Sequence, residues 1–229
     1  MVETYAHTDL TMSPGVWRRR AASCRFDEDR NARHDRQDTE DRFLVLDAGP
    51  AWIVATADGT GGIAGGGGAA DAVIAGVRDA VTRPSFDPLA PAAWSGLLVD
   101  LDGTIHRARG AGETTAVVMA VTASDIVGAS CGDSQAWLLG DAASLELTKD
   151  QSRKPRLGTG RAAPKSFCAR PDGVLLVGTD GLFDHATRAD ITTIVLADPD
   201  AAADALLALL RAKFRSLPDD VAIVVGLLG

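Results

Sequence analysis

Five places in this 229-residue chain set an acidic residue against the end of a predicted strand. Glu40-Asp41 precedes an apolar run at 43–47, and Asp58-Gly59 closes another at 51–57. Asp133 sits in Gly132-Asp133-Ser134, between runs at 126–131 and 135–139. Asp180-Gly181 closes the run at 174–178, and Asp219-Asp220 precedes the last one, 221–228. A carboxylate at a strand end projects from a rigid element toward the edge of a sheet. Where several such ends meet, their charges repel, and the cluster survives by holding a cation or sharing protons. Oxygen donors with no cysteine–histidine pattern beside them select Mg²⁺, Mn²⁺ or Ca²⁺ over zinc. The glycines after Asp58 and Asp180 permit sharp turns and let a backbone carbonyl face an ion. One Asp-Gly alone is an ordinary turn dipeptide; five carboxylate sites at strand junctions are harder to dismiss.

The elements that must position these residues follow from periodicity. The runs at 43–47 and 51–57, split by Gly49-Pro50, are predicted to form a hairpin of buried strands. The glycine-rich stretch 59–68 is expected to be irregular, and 69–81 to be a helix with Val73, Val77 and Val81 on one face. Pro84 and Pro88 break the chain. Pro91 opens a second helix, 92–102, with Trp94, Leu97, Leu98 and Leu101 apolar. Three strands follow at 115–122, 126–131 and 135–139. Residues 149–166, rich in Lys, Arg, Gly and Pro, read as a loop. A strand at 174–178, helices at 187–197 and 200–214, and a strand at 221–228 complete the order. Strands in blocks argue against a doubly wound parallel sheet and for an α+β layered fold with antiparallel sheets.

Nearly half of the residues are apolar, 46%, enough for a sizeable core in one large domain. The net charge of −8 repels nucleic acid and anionic membrane. Cys24, Cys131 and Cys168 form no disulfide framework, which suits a reducing cytoplasm. Cys131 is expected to be buried in a strand. No apolar run approaches the ~20 residues of a membrane span, and no signal-peptide pattern opens the chain. His7, His34, His106 and His185 lack ligand spacing. Residues 1–35, polar and charge-mixed, are assigned to an N-terminal extension and first-strand region, solvated and partly mobile. Residues 36–229 are assigned to the main domain. The expectation is a cytoplasmic monomer with no nucleic-acid or membrane partner.

In chain order these residues resemble the PPM (PP2C-type) metal-dependent protein phosphatase family, bacterial type. Arg36-Gln37-Asp38-Thr39-Glu40-Asp41-Arg42-Phe43 resembles the opening motif, in which an Arg precedes a Glu-Asp pair. Asp58-Gly59-Thr60-Gly61-Gly62 resembles Asp-Gly-x-Gly-Gly, and Gly112-Glu113-Thr114-Thr115-Ala116 resembles the Gly-x-Thr-Ala strand entry. Gly132-Asp133-Ser134-Gln135-Ala136 and Leu147-Thr148-Lys149-Asp150-Gln151-Ser152 are similar to Gly-Asp-Ser-Arg-Ala and Leu-Thr-x-Asp-His-Ser. Thr179-Asp180-Gly181-Leu182-Phe183-Asp184 resembles Ser-Asp-Gly-Leu-Trp-Asp, and Asp219-Asp220-Val221-Ala222-Ile223-Val224-Val225 the closing segment.

The resemblance implies an αββα sandwich of two antiparallel sheets flanked by helix pairs. It implies that Asp58 bridges two Mn²⁺ or Mg²⁺ ions, with the Gly59 carbonyl on one of them and Glu40 or Asp41 nearby. Asp180 and Asp219 would hold the other ion. Asp133, with Asp180 and Asp184, resembles an extra metal site of bacterial members. Arg36 would grip the substrate phosphate. The implied activity is two-metal hydrolysis of phosphoserine and phosphothreonine in proteins, opposing a kinase. The chain departs from the pattern at Thr60, where members carry His or Met; a threonine hydroxyl is a poor general acid. Asp220 replaces the usual Asn. The 149–173 segment is short for the family's flap, and Lys154, Arg156, Gly158 and Arg161 in it are either phosphopeptide contacts or solvated loop charge.

Two other readings stand beside this one. Gly59-Thr60-Gly61-Gly62-Ile63-Ala64 matches a dinucleotide-binding fingerprint, but the acidic candidate ~20 positions on, Asp79, falls inside a helical stretch. A catalytically weak or silent member of the same fold, acting as a regulatory or binding module, is the alternative that Thr60 and the short flap keep open.

Overall fold

The structure is a computed structural model that describes residues 39–60, 65–108, 112–141, 143–214 and 217–228, together with the backbone of 17–25. Two five-stranded antiparallel sheets are packed face to face. The first holds β2 (Asp41–Asp47), β3 (Trp52–Asp58), β4 (Ala116–Val121), β5 (Ile126–Cys131) and β8 (Lys165–Ala169), in that order. The second runs β1 (Trp17–Arg25), β10 (Val221–Leu228), β9 (Val174–Gly178), β6 (Gln135–Leu139) and β7 (Ser144–Glu146). Helices α1 (Gly66–Val81) and α2 (Pro91–Arg107) cover the first sheet. The second is covered by α4 (Arg188–Ala197) and α5 (Ala202–Lys213), after a single-turn helix, α3 (Asp180–Phe183). This is the expected αββα sandwich.

The two-residue period of the strands builds the layers. In β3, Ile53, Ala55 and Ala57 face α1 and α2, where they meet Val73, Val77, Trp94 and Leu98. The alternate residues Trp52 and Val54 face the other sheet, with Val117, Met119, Leu175 and Val224. In the second sheet, Leu176, Ile223 and Val225 face outward onto Ile191, Val195, Leu206 and Leu210. Strands buried on both faces read as unbroken apolar runs rather than alternating ones, as 221–228 does.

Several expectations need correction. Gly66–Gly68 is helical, not irregular: α1 begins at Gly66, because the missing Cβ lets its first turn lie against the backbone of Gly59 and Thr60. The second helix runs five residues beyond 102, to Arg107, burying Ile105. The 149–166 loop is continued by a strand at its end, β8, and preceded by another, β7, neither of which was expected. Residues 17–25, in the region assigned to an N-terminal extension and first strand, do form a strand, β1, whose backbone pairs antiparallel with β10. The domain boundary at 35/36 lies outside the described residues.

Candidate metal centre

The carboxylates gather at one end of the sandwich, where the chain passes between sheets. Asp41 and Asp58 end neighbouring strands and are cross-strand partners in the β2–β3 ladder. Asp133 sits in the connection that takes the chain from β5 in one sheet to β6 in the other; Gly132 turns it with φ +105°. Asp180 opens α3 just past β9, and Asp219 stands just before the neighbouring strand β10. Hydrogen bonds lock these ends together. Thr115 Oγ1 accepts from Asp58 N at 3.1 Å and lies 2.6 Å from Ser134 Oγ. Thr179 Oγ1 donates to Asp41 Oδ2 at 2.7 Å and accepts from Ala222 N, so one buried hydroxyl ties the first sheet to the second.

The outcome is a triad: Asp58, Asp133 and Asp180 each offer a carboxylate oxygen, all within 4.8 Å of one another. Like charges this close shift protonation. The Asp58 carboxyl lies well above the usual carboxylate range, through burial first and then through Asp180, Asp219 and Asp133; Arg156 pulls the other way. Asp180 is pushed up to about 6 by burial, Asp219, Asp133 and Asp184. Asp41 is raised by burial, then by Asp58 and Asp220. A cluster that retains protons in this way has room for positive charge. Its donors are hard oxygens with no thiol or imidazole among them, a set that fits Mg²⁺ or Mn²⁺.

The other sequence candidates fall around the triad. Asp219 acts on Asp58 and Asp180 and, less strongly, on Asp41, whereas Asp220 acts on Asp41 and accepts from Glu40 N at 2.7 Å. The Asp220 bond fastens β10 to the start of β2, and Asp219, beside the Asp58–Asp133–Asp180 triad, is not one of its three members. Glu40 and Gly59 are joined by the Gly59 N to Glu40 O bond, 3.3 Å. Gly59 is bare for a steric reason as well, since a Cβ there would overlap the backbone of Gly66. Thr60 Oγ1 is shielded from solvent and makes no hydrogen bond among the described residues. Arg36, His7 and His34 lie outside the described residues. Cys131 is buried as expected, and burial pushes its thiol up to about 11, which keeps it neutral. His106 faces Gly158 O, and His185 packs edge-on to Phe214.

Sequence reasoning missed three participants, Thr179, Arg153 and Asp102, and the acidic partner of a fourth, Arg156. Thr179 is a hydroxyl residue directly before Asp180, a position that by itself does not reveal its bond to Asp41. Arg153 pairs with both Asp133 and Asp184, and nothing local distinguished it from the other loop cations. Arg156 was a candidate phosphopeptide contact, yet it pairs with Asp133 at 3.0 Å. Asp102, buried in α2, accepts three backbone N–H groups from 158–162. Lys154 and Arg161 are exposed, as solvated loop charge would be.

Gly181 offers a direct test of how tightly the end is built. A Cβ there would overlap the Asp220 carbonyl oxygen and crowd Val221. Gly181→Ala is expected to lower unfolding stability by about 1–3 kcal/mol in denaturant titrations, as overpacking does. It should also disturb the carboxylate cluster, because the displaced backbone carries Asp180.

The fold is the PP2C-type phosphatase fold. Among solved structures, the chain resembles the serine/threonine phosphatase Stp1 from Staphylococcus aureus, with a TM-score of 0.80 and 17% identity over 97% of this chain and 100% of that one. It also resembles the Mycobacterium tuberculosis serine/threonine phosphatase PstP/Ppp, with a TM-score of 0.74 and 22% identity over 92% and 98% of the two chains. A further match is the catalytic domain of PstP in complex with two manganese ions, with a TM-score of 0.73 and 23% identity over 92% and 97%. At these identities the likeness is one of fold. No protein-family model matches the sequence, and no curated protein does. Among the described residues, no helix is long and apolar enough to cross a membrane.

Proposed function

We propose that this chain is a metal-dependent phosphatase that hydrolyses phosphoserine and phosphothreonine in proteins, opposing a kinase, with two Mn²⁺ or Mg²⁺ ions held by its carboxylate cluster. The observation that carries the reading is the convergence of Asp58, Asp133 and Asp180 oxygens within 4.8 Å, delivered by three separate strand junctions. The support from comparison is that the solved structures sharing this fold include bacterial serine/threonine phosphatases, one of them with two manganese ions.

Bound divalent ions supply charge stabilisation at phosphoryl oxygens and activate water near neutral pH. The protein's part is to fix the ligands. In this reading Asp58, Asp180 and Asp219, with the Gly59 carbonyl, would hold the ions, beside Asp133. Asp41, held by Thr179, and Glu40 support Asp58 from the neighbouring strand. Arg36 grips the phosphate. The cysteines take no part.

A second reading has one observation in its favour. Arg153 and Arg156 already supply positive charge to Asp133, so the fold does not need a metal at every carboxylate. Such a chain would be a silent binding module. Hydrolysis of p-nitrophenyl phosphate and of a phosphothreonine peptide, with and without Mn²⁺, separates the two. The phosphatase reading expects turnover that Mn²⁺ restores after chelation. A folded protein with no metal-dependent turnover would select the binding module.

A further inference from the structure

Asp133 has a side chain only 7% exposed, and two other carboxylates lie within 4.8 Å of it. A buried charge in that position needs a counter-charge. It has two. Arg153 Nε and Arg156 Nη2 both reach Asp133 Oδ2, each at 3.0 Å. Arg153 also reaches Asp184 Oδ2, at 2.9 Å, through Nη2. One planar guanidinium thus spans two carboxylates, the way a divalent ion would be shared between them.

The segment that carries both arginines is tightly fastened. Leu157 and Thr114 exchange both backbone hydrogen bonds at 3.0 Å, and Thr114 Oγ1 donates to Asp58 O at 2.8 Å. Asp102, 4% exposed, accepts from Gly158 N, Gly160 N and Ala162 N at 2.8, 2.9 and 2.9 Å. Gly158 and Gly160 adopt φ of +95° and +71°, which turns both N–H groups onto one carboxylate. Three donors on one buried acid are the expected way to satisfy its charge, and here all three come from one short strap.

We propose that Arg153 and Arg156 serve as a built-in cation at Asp133 and Asp184, shutting a further metal ion out of that side of the cluster, and that Asp102 is the positioning residue that holds their strap in place. This deepens the two-ion reading and rests on it. The chain binds two ions with the strap seated and takes a third only when the guanidinium groups are gone.

The test is Mn²⁺ stoichiometry by equilibrium dialysis and by electron paramagnetic resonance of free Mn²⁺, on the full chain. Wild type is expected to bind two ions. Arg153→Gln/Arg156→Gln should bind one more, at least about tenfold more tightly than any residual binding of a third ion to wild type, the equivalent of removing one charge-assisted competitor. Arg153→Gln alone, at an exposed position where folding is not at risk, should tighten the same site to a smaller extent. Asp102→Asn keeps the shape but replaces one accepting oxygen with a donor, and should reproduce the extra ion. A merely structural role for Asp102 would lower stability without changing the ion count, and that result would remove it from the proposal. Three ions in wild type, or an unchanged count in the double variant, would overturn the proposal and leave the two-ion reading standing. No Mn²⁺ bound by any of the proteins would overturn both.

Discussion

Asp58→Asn is expected to abolish most phosphatase activity, by about 10²–10³-fold or more, and at the same time to raise the melting temperature of the metal-free protein. The first effect follows if Asp58 is shared between ions, because an amide is a weak metal ligand and the loss falls on the charge that stabilises the transition state. The second follows from the apo cluster. Asp58 is half-buried, and desolvation together with Asp180, Asp219 and Asp133 raises its carboxyl. A neutral isostere removes that repulsion while leaving the volume unchanged. Function and stability then move in opposite directions, as they do where an active site stores unfavourable charge. Differential scanning fluorimetry with chelator, beside a p-nitrophenyl phosphate assay with Mn²⁺, reads both. Asp180→Asn should behave alike. Unchanged kinetics in either variant would remove that residue from the site, and a lower apo melting temperature in both would contradict the electrostatic account.

Mn²⁺ should stabilise the protein strongly at about pH 7.5 and weakly at about pH 5. In the metal-free fold, Asp180 titrates near about 6, and Asp58 and Asp41 are raised in the same direction. In the unfolded chain these carboxyls titrate near about 3.9. Between those values the folded protein binds more protons than the unfolded one, so stability falls as pH rises through the window. For Asp180 the contribution is intact below about pH 4 and lost above about pH 6. A divalent ion replaces those protons and cancels the penalty only where the protons have left. At a hundredfold excess over Kd, binding stabilises by about 2.7 kcal/mol. For a chain of this size that is about 5–10 °C in Tm at the higher pH. Equal shifts at both pH values would mean that the ion does not compete with protons at these carboxylates.

The parts of the fold legible from sequence are those where burial is continuous. The run 221–228 was read as β10 to the residue, and 126–131 and 135–139 were read as β5 and β6, because central strands buried on both faces are apolar throughout. The edges were illegible. Lys165–Ala169 is mostly exposed and carries a lysine, as edge strands do, so it resembles a loop. Ser144–Glu146 is too short to show any period. Gly66–Gly68 misleads because helix propensity argues against glycine, while close packing on Gly59 and Thr60 demands it at Gly66.

For the site, residue type and position were enough to nominate Asp58, Asp133, Asp180 and Asp219, since a carboxylate beside a strand end is visible in a string of letters. Which of them meet was not. Asp58, Asp133 and Asp180 are 47 or more positions apart in sequence, and only the stacking of the two sheets brings their oxygens within 4.8 Å. The difference between Asp219 and Asp220 likewise depends on which way each strand-end side chain turns, and the pairing of Arg153 and Arg156 with Asp133 on a strap anchored to a distant helix. Sequence determines which groups the chain can bring, because chemistry resides in single residues. Proximity between distant residues is created by packing, and the tertiary structure alone decides it.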